Sequence, residues 1–231
     1  MLRNFDFDLI TFDCYGTLVD WETGIFSALK PVLAKHGKSI PDAELLELYG
    51  GFEAQAESGE YRSYREVLRS VAHNFAQTLR FTPTLDEIEA LPNSVQNWRP
   101  WPDTAKALQR LGRRYRLAII SNIDDDLFEM TRPSLGSNFV HVTTAQQARC
   151  YKPGRKIFRM ALENAGLPSE RILHVGQSIY HDVVPAQSLG LATVWVNRPS
   201  PRAGIGAVVK AKGTPDLEVP SLASLADRAA C

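Results

Sequence analysis

A short apolar run closing on a polar residue or a turn recurs five times along this chain, and few folds accommodate that rhythm. The runs are Leu9-Ile10-Thr11-Phe12, Leu117-Ala118-Ile119-Ile120, Phe139-Val140-His141-Val142, Ile172-Leu173-His174-Val175 and Ala192-Thr193-Val194-Trp195-Val196. Each is four or five residues long and rich in β-branched or aromatic side chains, as buried strands of a parallel sheet require. Helical patterns lie between them: Asp103 to Arg113, Pro153 to Ala165 closed by Gly166, and His181 to Leu189 closed by Gly190. Glycine just past a helical pattern is a stop signal. Strand and helix in alternation predict an α/β fold with a doubly wound parallel sheet.

The rhythm breaks between about Trp21 and Trp98, where only helical patterns occur. Ile25 to His36 ends at Gly37. Asp42 opens a second helix with Leu45, Leu46 and Leu48 clustered on one side. Tyr61 to Leu79 carries Tyr64, Val67, Leu68, Val71 and Phe75 at helical spacing. Residues 21–98 are therefore expected to form a helical cap inserted after the first strand, with 1–20 and 99–231 forming the α/β core. Arg99-Pro100-Trp101-Pro102-Asp103 reads as a stiff return linker, and Pro199 to Pro220 as an irregular surface excursion.

Composition narrows the function classes. The chain has 231 residues, with 26 Lys and Arg against 26 Asp and Glu, so no basic excess favours nucleic acid or an anionic membrane. No apolar run approaches the ~18–20 residues of a membrane helix. Three cysteines, Cys14, Cys150 and Cys231, without a CxxC pair, fit a reduced, cytoplasmic protein.

In an open parallel sheet the reactive crevice lies at the carboxyl ends of the strands. Suspicious polar groups stand there: Asp13, Ser121-Asn122, Lys152, and Gln177 to Asp182. Gly16 and Thr17 after Asp13 suggest a tight loop whose amides cradle an anion beside a carboxylate, against the plainer reading of Asp13 as a cap. A carboxylate held at attack distance with its charge balanced is a capable nucleophile. Lys152 would lower its pKa and help bind an anionic substrate. Asp182 either caps the following helix or orients Lys152 and a water. Ser121-Asn122 either caps a helix over Asp124 to Met130 or binds a substrate carboxylate.

These segments, in this order, resemble the four signature motifs of the haloacid dehalogenase (HAD) superfamily, across nearly the whole chain. Asp13-Cys14-Tyr15-Gly16-Thr17 resembles the type II L-2-haloacid dehalogenase subgroup. The longer string through Asp20-Trp21-Glu22-Thr23-Gly24, with Ser121-Asn122-Ile123-Asp124, Tyr151-Lys152-Pro153 and Ser178-Ile179-Tyr180-His181-Asp182, looks most like the L-azetidine-2-carboxylate hydrolase group. The resemblance implies a Rossmann-like core and a hydrolase that needs no metal or other cofactor. The magnesium phosphatases of the superfamily carry a second Asp where Tyr15 stands and an acidic metal ligand where Gln177 stands, and magnesium prefers anionic oxygens.

The resemblance further implies that Asp13 attacks C2 of a small 2-substituted carboxylate and that water then hydrolyses the ester. Lys152 and Asp182 are its catalytic partners. Cys14, Tyr15, Trp21, Tyr64, Ser121 and Asn122 contact substrate, and Tyr180 and His181, or the Trp21 indole, relay a proton. The haloacid enzymes use a cap arginine for the halide, and the matching stretch here, Tyr49-Gly50-Gly51-Phe52, has none. Arg62 or Arg65 is the possible substitute, against surface ion pairs with Glu66 or Glu60. Phe158 replaces a tyrosine, and Gln177 and Ile179 replace a serine and an asparagine. A strained ring amine is therefore the rival leaving group. A phosphatase with an atypical fourth motif and a non-catalytic binding module are the other readings. Homodimers are expected by analogy.

Overall fold

The computed structural model describes residues 5–198 and 206–229. Six parallel strands form one sheet in the order β3-β2-β1-β4-β5-β6: β1 is Leu9–Phe12, β2 Arg116–Ser121, β3 His141–Thr144, β4 Ile172–Gly176, β5 Ala192–Val196 and β6 Leu217–Val219. β1 lies at the centre with Phe12 in register with Ile119 of β2 and Val175 of β4. All four residues of β1 are buried, which is why the run carries no polar–apolar alternation. The expected α/β parallel fold is the one the chain adopts.

Between β1 and β2 the chain makes α1 (Trp21–Lys35), α2 (Asp42–Glu57), α3 (Tyr64–Thr78), α4 (Leu85–Ser94) and α5 (Thr104–Leu111). Asp20 caps α1 through the Thr23 amide, and Ser63 with Glu66 forms a capping box on α3. That box sets the start of α3 at Tyr64 rather than at Tyr61. Val67, Leu68, Val71 and Phe75 form its buried stripe. A second box, Thr84 with Glu87, starts α4, an element not anticipated from the apolar pattern. Four further helices follow: α6 (Asp125–Thr131), α7 (Ala145–Ala148), α8 (Arg155–Ala165) and α9 (Val184–Gln187). α10 (Leu222–Arg228) closes the described chain.

Three expectations need correction. β3 begins at His141, two residues late, because its ladder with β2 starts at the Ala118–His141 pair, leaving Val140 exposed. The helix expected from His181 is a π turn, Ile179–Val183, running into α9, with the Asp182 and Val183 amides both on the Ser178 carbonyl. The stretch from Pro199 to Pro220 is not wholly irregular, since it contains β6; its residues 199–205 lie outside the described ones. Cys231 lies outside them too.

Gly24 of α1 faces the Trp98 indole so closely that a Cβ would collide with the ring, whereas Gly51 of α2 has open space. Gly24→Ala is expected to cost about 1–3 kcal/mol by overpacking, read as a lower urea midpoint. Gly51→Ala is expected to add about 0.5–1 kcal/mol through helix propensity. Equal effects would contradict this packing.

Candidate active site

Parallel pairing puts the ends of β1, β2 and β4 on one edge of the sheet, so Asp13, Ser121 and the turn after Gly176 meet there. The Asp13 amide continues the ladder to the Val175 carbonyl at 2.9 Å. Its carboxylate accepts from Lys152 Nζ on Oδ1 and from the Thr17 hydroxyl on Oδ2, both at 2.7 Å. Thr17 Oγ1 also accepts from the Gln177 amide at 2.9 Å, which ties the loop after β1 to the loop after β4. Arg198 clamps the same loop, donating to the Thr17 carbonyl at 2.9 and 3.2 Å and to Asp103 at 3.0 Å.

Lys152 is buried, and its ammonium spends all three donors: on Asp13, on Asp182 Oδ1 at 2.7 Å and on the Ile120 carbonyl at 3.1 Å. Asn122 seats its backbone, accepting from the Lys152 amide at 2.7 Å and donating to the Lys152 carbonyl at 3.2 Å. Asp182 Oδ2 takes the Ser178 amide at 3.2 Å, and His174 Nε2 lies 3.4 Å from Oδ1. Burial would push the Lys152 pKa down, but the two carboxylates outweigh it and hold the ammonium above its ordinary range. Burial would likewise raise Asp182, yet Lys152 and His174 hold it well below the usual carboxylate range. Burial raises the Asp13 pKa despite the opposing Lys152 charge, and the nearby Asp182 charge adds to the rise.

Helices α2 and α3 supply the other wall of the cavity, and two side chains there were not foreseen. Glu53 is buried and accepts from the Tyr64 hydroxyl at 2.6 Å and the Tyr49 hydroxyl at 3.0 Å. Burial raises its pKa to about 7. Glu57, one turn on, is approached by Asn122 Nδ2 at 3.4 Å and is pushed well up, first by burial and then by Glu53. The signal was in the period: Tyr49, Glu53 and Glu57 recur every four residues on the apolar side of α2.

The structure separates the candidate residues. Asp13, Tyr15, Trp21, Tyr64, Ser121, Asn122, Lys152, His181 and Asp182 line one cavity, in which the centre of a water-sized sphere has about 40 Å³ to move. That is room for a ligand of a few heavy atoms. Cys14 is wholly buried and does not line it, because its side chain packs into the core. Tyr180 lines a neighbouring cavity that shares Glu57, Lys152 and His181 with the first. Burial lowers the His181 pKa to about 4, so its ring is neutral near pH 7 and a poor proton donor. Arg62 and Arg65 are not at the site: Arg62 holds the Ala56 carbonyl at 2.7 Å, and Arg65 pairs with Asp126 at 2.6 Å. Gly16 has φ +95°, and a Cβ there would stand 3.0 Å from Gln177 Oε1 and 3.2 Å from Trp21 Nε1, so a side chain would crowd the cavity wall.

Residues 7–190 match the family model described as haloacid dehalogenase-like hydrolase. The chain is 30% identical to the (S)-2-haloacid dehalogenase of Pseudomonas sp. (strain YL), covering 94% of this chain and 92% of that one. Its fold is that of the L-2-haloacid dehalogenase from Xanthobacter autotrophicus, at TM-score 0.78 and 20% identity over 96% of this chain and 97% of the other. The magnesium-bound HAD hydrolase YfnB from Bacillus subtilis shares the fold equally, at TM-score 0.78 and 16% identity over 97% and 99%. Fold therefore does not decide the question of metal; the donor set does. Asp182 has both oxygens committed, Gln177 offers a neutral amide, and the Tyr15 hydroxyl bonds Thr131 at 2.8 Å. These groups do not fit magnesium's demand for anionic oxygens in octahedral array. Among the described residues no group of three or more His, Cys, Asp or Glu is placed to hold a metal ion.

Removing the ammonium leaves two buried carboxylates facing each other. Lys152→Met is expected to destabilise the fold by about 3–5 kcal/mol at pH 7. Without Lys152, burial raises both folded-state pKa values above the unfolded ~3.9. A raised group favours folding below the unfolded value and loses that contribution as pH rises. The deficit should therefore shrink between pH 7 and pH 4 in urea titrations; a pH-independent deficit would contradict the arrangement.

Proposed function

Since this chain belongs to the haloacid dehalogenase-like hydrolase family, we propose that it displaces the C2 substituent of a small 2-substituted carboxylic acid through an ester on Asp13, without a metal. The observation that carries this reading is the Asp13 carboxylate held by Lys152 and Thr17 in a cavity whose other strand-end groups are neutral or already paired. The similarity to an (S)-2-haloacid dehalogenase supports the substrate class.

In the first step an Asp13 carboxylate oxygen bonds to C2, and the C2 substituent departs with the bonding pair. In the second, water attacks the Asp13 acyl carbon; the bond from that carbon to the ester oxygen breaks, and a 2-hydroxy acid leaves. Negative charge developing on the acyl oxygen falls where Lys152 and Thr17 donate. Ser121 Oγ is buried and has no partner among the described residues, which suits it to the substrate carboxylate. The amide of Tyr15, a residue of the cavity lining, donates to no described residue and completes that receptor. Asp182 and Asn122 position Lys152 rather than substrate. Tyr15, Trp21 and Tyr64 exclude bulk water, leaving the nucleophile less solvated.

Assayed with chelator on L-2-chloropropionate, fluoroacetate and L-azetidine-2-carboxylate, the protein is expected to turn over at least one, with chloride, fluoride or ring-opened product as readout. Asp13→Asn should lower the rate on the order of 10⁴-fold or more, as loss of a covalent nucleophile does. Hydrolysis of a phosphate ester that magnesium stimulates and chelator stops would overturn the proposal.

A further inference from the structure

Resting on the displacement reading, we infer that the cavity beside the catalytic one seats a second acidic group of the substrate, received by Arg149, so that the chain acts on 2-substituted acids bearing a distal carboxylate. The catalytic cavity gives the centre of a water-sized sphere about 40 Å³, and its neighbour about 290 Å³. A substrate longer than a few heavy atoms therefore extends into the second space. The two cavities share Glu57, Lys152 and His181. Lys152 is pinned by three hydrogen bonds, whereas Glu57 is held, among the described residues, by Asn122 Nδ2 at 3.4 Å. Glu57 is thus the part of the shared wall freest to turn aside for a chain that passes between them.

The second cavity offers a ligand charge of one sign. Arg149 lines it, with the guanidinium 4.3 Å from the Tyr61 ring centroid and no carboxylate partner among the described residues. The Lys152 charge is balanced by Asp13 and Asp182, and the His181 ring is neutral near pH 7. Burial, and then Glu53, push the Glu57 carboxyl well up, toward its uncharged form. What remains is one free cation, a planar fork matched to a carboxylate. Its platform is fixed. The Tyr61 ring stacks on Tyr151 at 5.4 Å, and the Tyr151 hydroxyl donates to the Arg62 carbonyl at 2.8 Å, so Arg149 rests on the loop that carries Lys152. The backbone gives an independent reason. Arg149 ends α7 in the left-handed region, at φ +50° and ψ +44°, where glycine is the residue of least strain. An arginine at such a position, with its side chain on a cavity adjoining the nucleophile, is accounted for by a ligand that needs it.

The test reads binding apart from turnover. Wild-type protein is titrated with racemic 2-hydroxy acids, the product class of the proposed reaction: malate, 2-hydroxyglutarate and 2-hydroxyadipate, each against the 2-hydroxy monoacid of equal chain length. At one length or more the diacid should bind about three- to tenfold tighter, between the worth of an exposed ion pair and that of a two-pronged guanidinium contact. Equal affinities at all three lengths would overturn the inference. Arg149→Gly, which suits the left-handed backbone, should erase the margin, and Arg149→Lys should recover part of it. A margin unchanged in Arg149→Gly would also overturn the inference. The two proposals fail separately. Chloride release from L-2-chloropropionate in chelator, lost in Asp13→Asn, with no diacid margin in binding, would discard the second carboxylate and keep the ester. An Arg149-dependent margin in a protein that turns over no 2-chloro acid, of one carboxylate or two, would keep the second carboxylate and discard the ester.

Discussion

The Lys152 ammonium, buried between Asp13 and Asp182 at 2.7 Å from each, is the contact on which the rest of the site depends. Three ionised groups out of water are costly, and only the close geometry and the added Ile120, Thr17 and Ser178 hydrogen bonds offset that cost. The arrangement in turn dictates much of its surroundings. Asn122 is spent on seating the Lys152 backbone, His174 stands between Thr11 and Asp182, and Phe158 closes edge-on against His174. A parallel sheet makes the convergence possible, because the segments that follow β1, β3 and β4 all start from the same edge, and Asp13 meets Lys152 across 139 positions of sequence.

Charge also explains why the fold alone says little about chemistry here. The same architecture serves a magnesium-bound hydrolase and L-2-haloacid dehalogenases. In this chain the cavity holds a fully committed lysine, and its helical wall contributes the carboxyl groups of Glu53 and Glu57. Tyr15 turns its hydroxyl to Thr131 and its ring against Trp98 at 5.7 Å, serving as a wall.

The strand-end residues were legible because a buried parallel strand leaves a plain apolar run, and the first polar residue after it has nowhere to go but the crevice. Asp13 after Phe12 and Ser121 after Ile120 are of that kind. Lys152, eight residues beyond β3, was legible only in company with the other motifs. Glu53 and Glu57 were missed because acidic residues in a helix ordinarily face water; only their four-residue step from buried Tyr49 placed them inward. β6 was too short, at three residues, for any period to show, and α4 announced itself through Thr84 and Glu87 rather than through apolar spacing. Arg198, which clamps the catalytic-side loop through the Thr17 carbonyl, lies in a segment with no motif at all.

A covalent bond between Asp13 and substrate carbon makes a demand on oxygen that no other mechanism shares. Enzyme in excess over L-azetidine-2-carboxylate or L-2-chloropropionate, run for a single turnover in H₂¹⁸O, should end with ¹⁸O in the Asp13 peptide and with an unlabelled hydroxyl on the product. Label found in the product hydroxyl and absent from Asp13 would mean that water attacks carbon directly, and the ester account would fall.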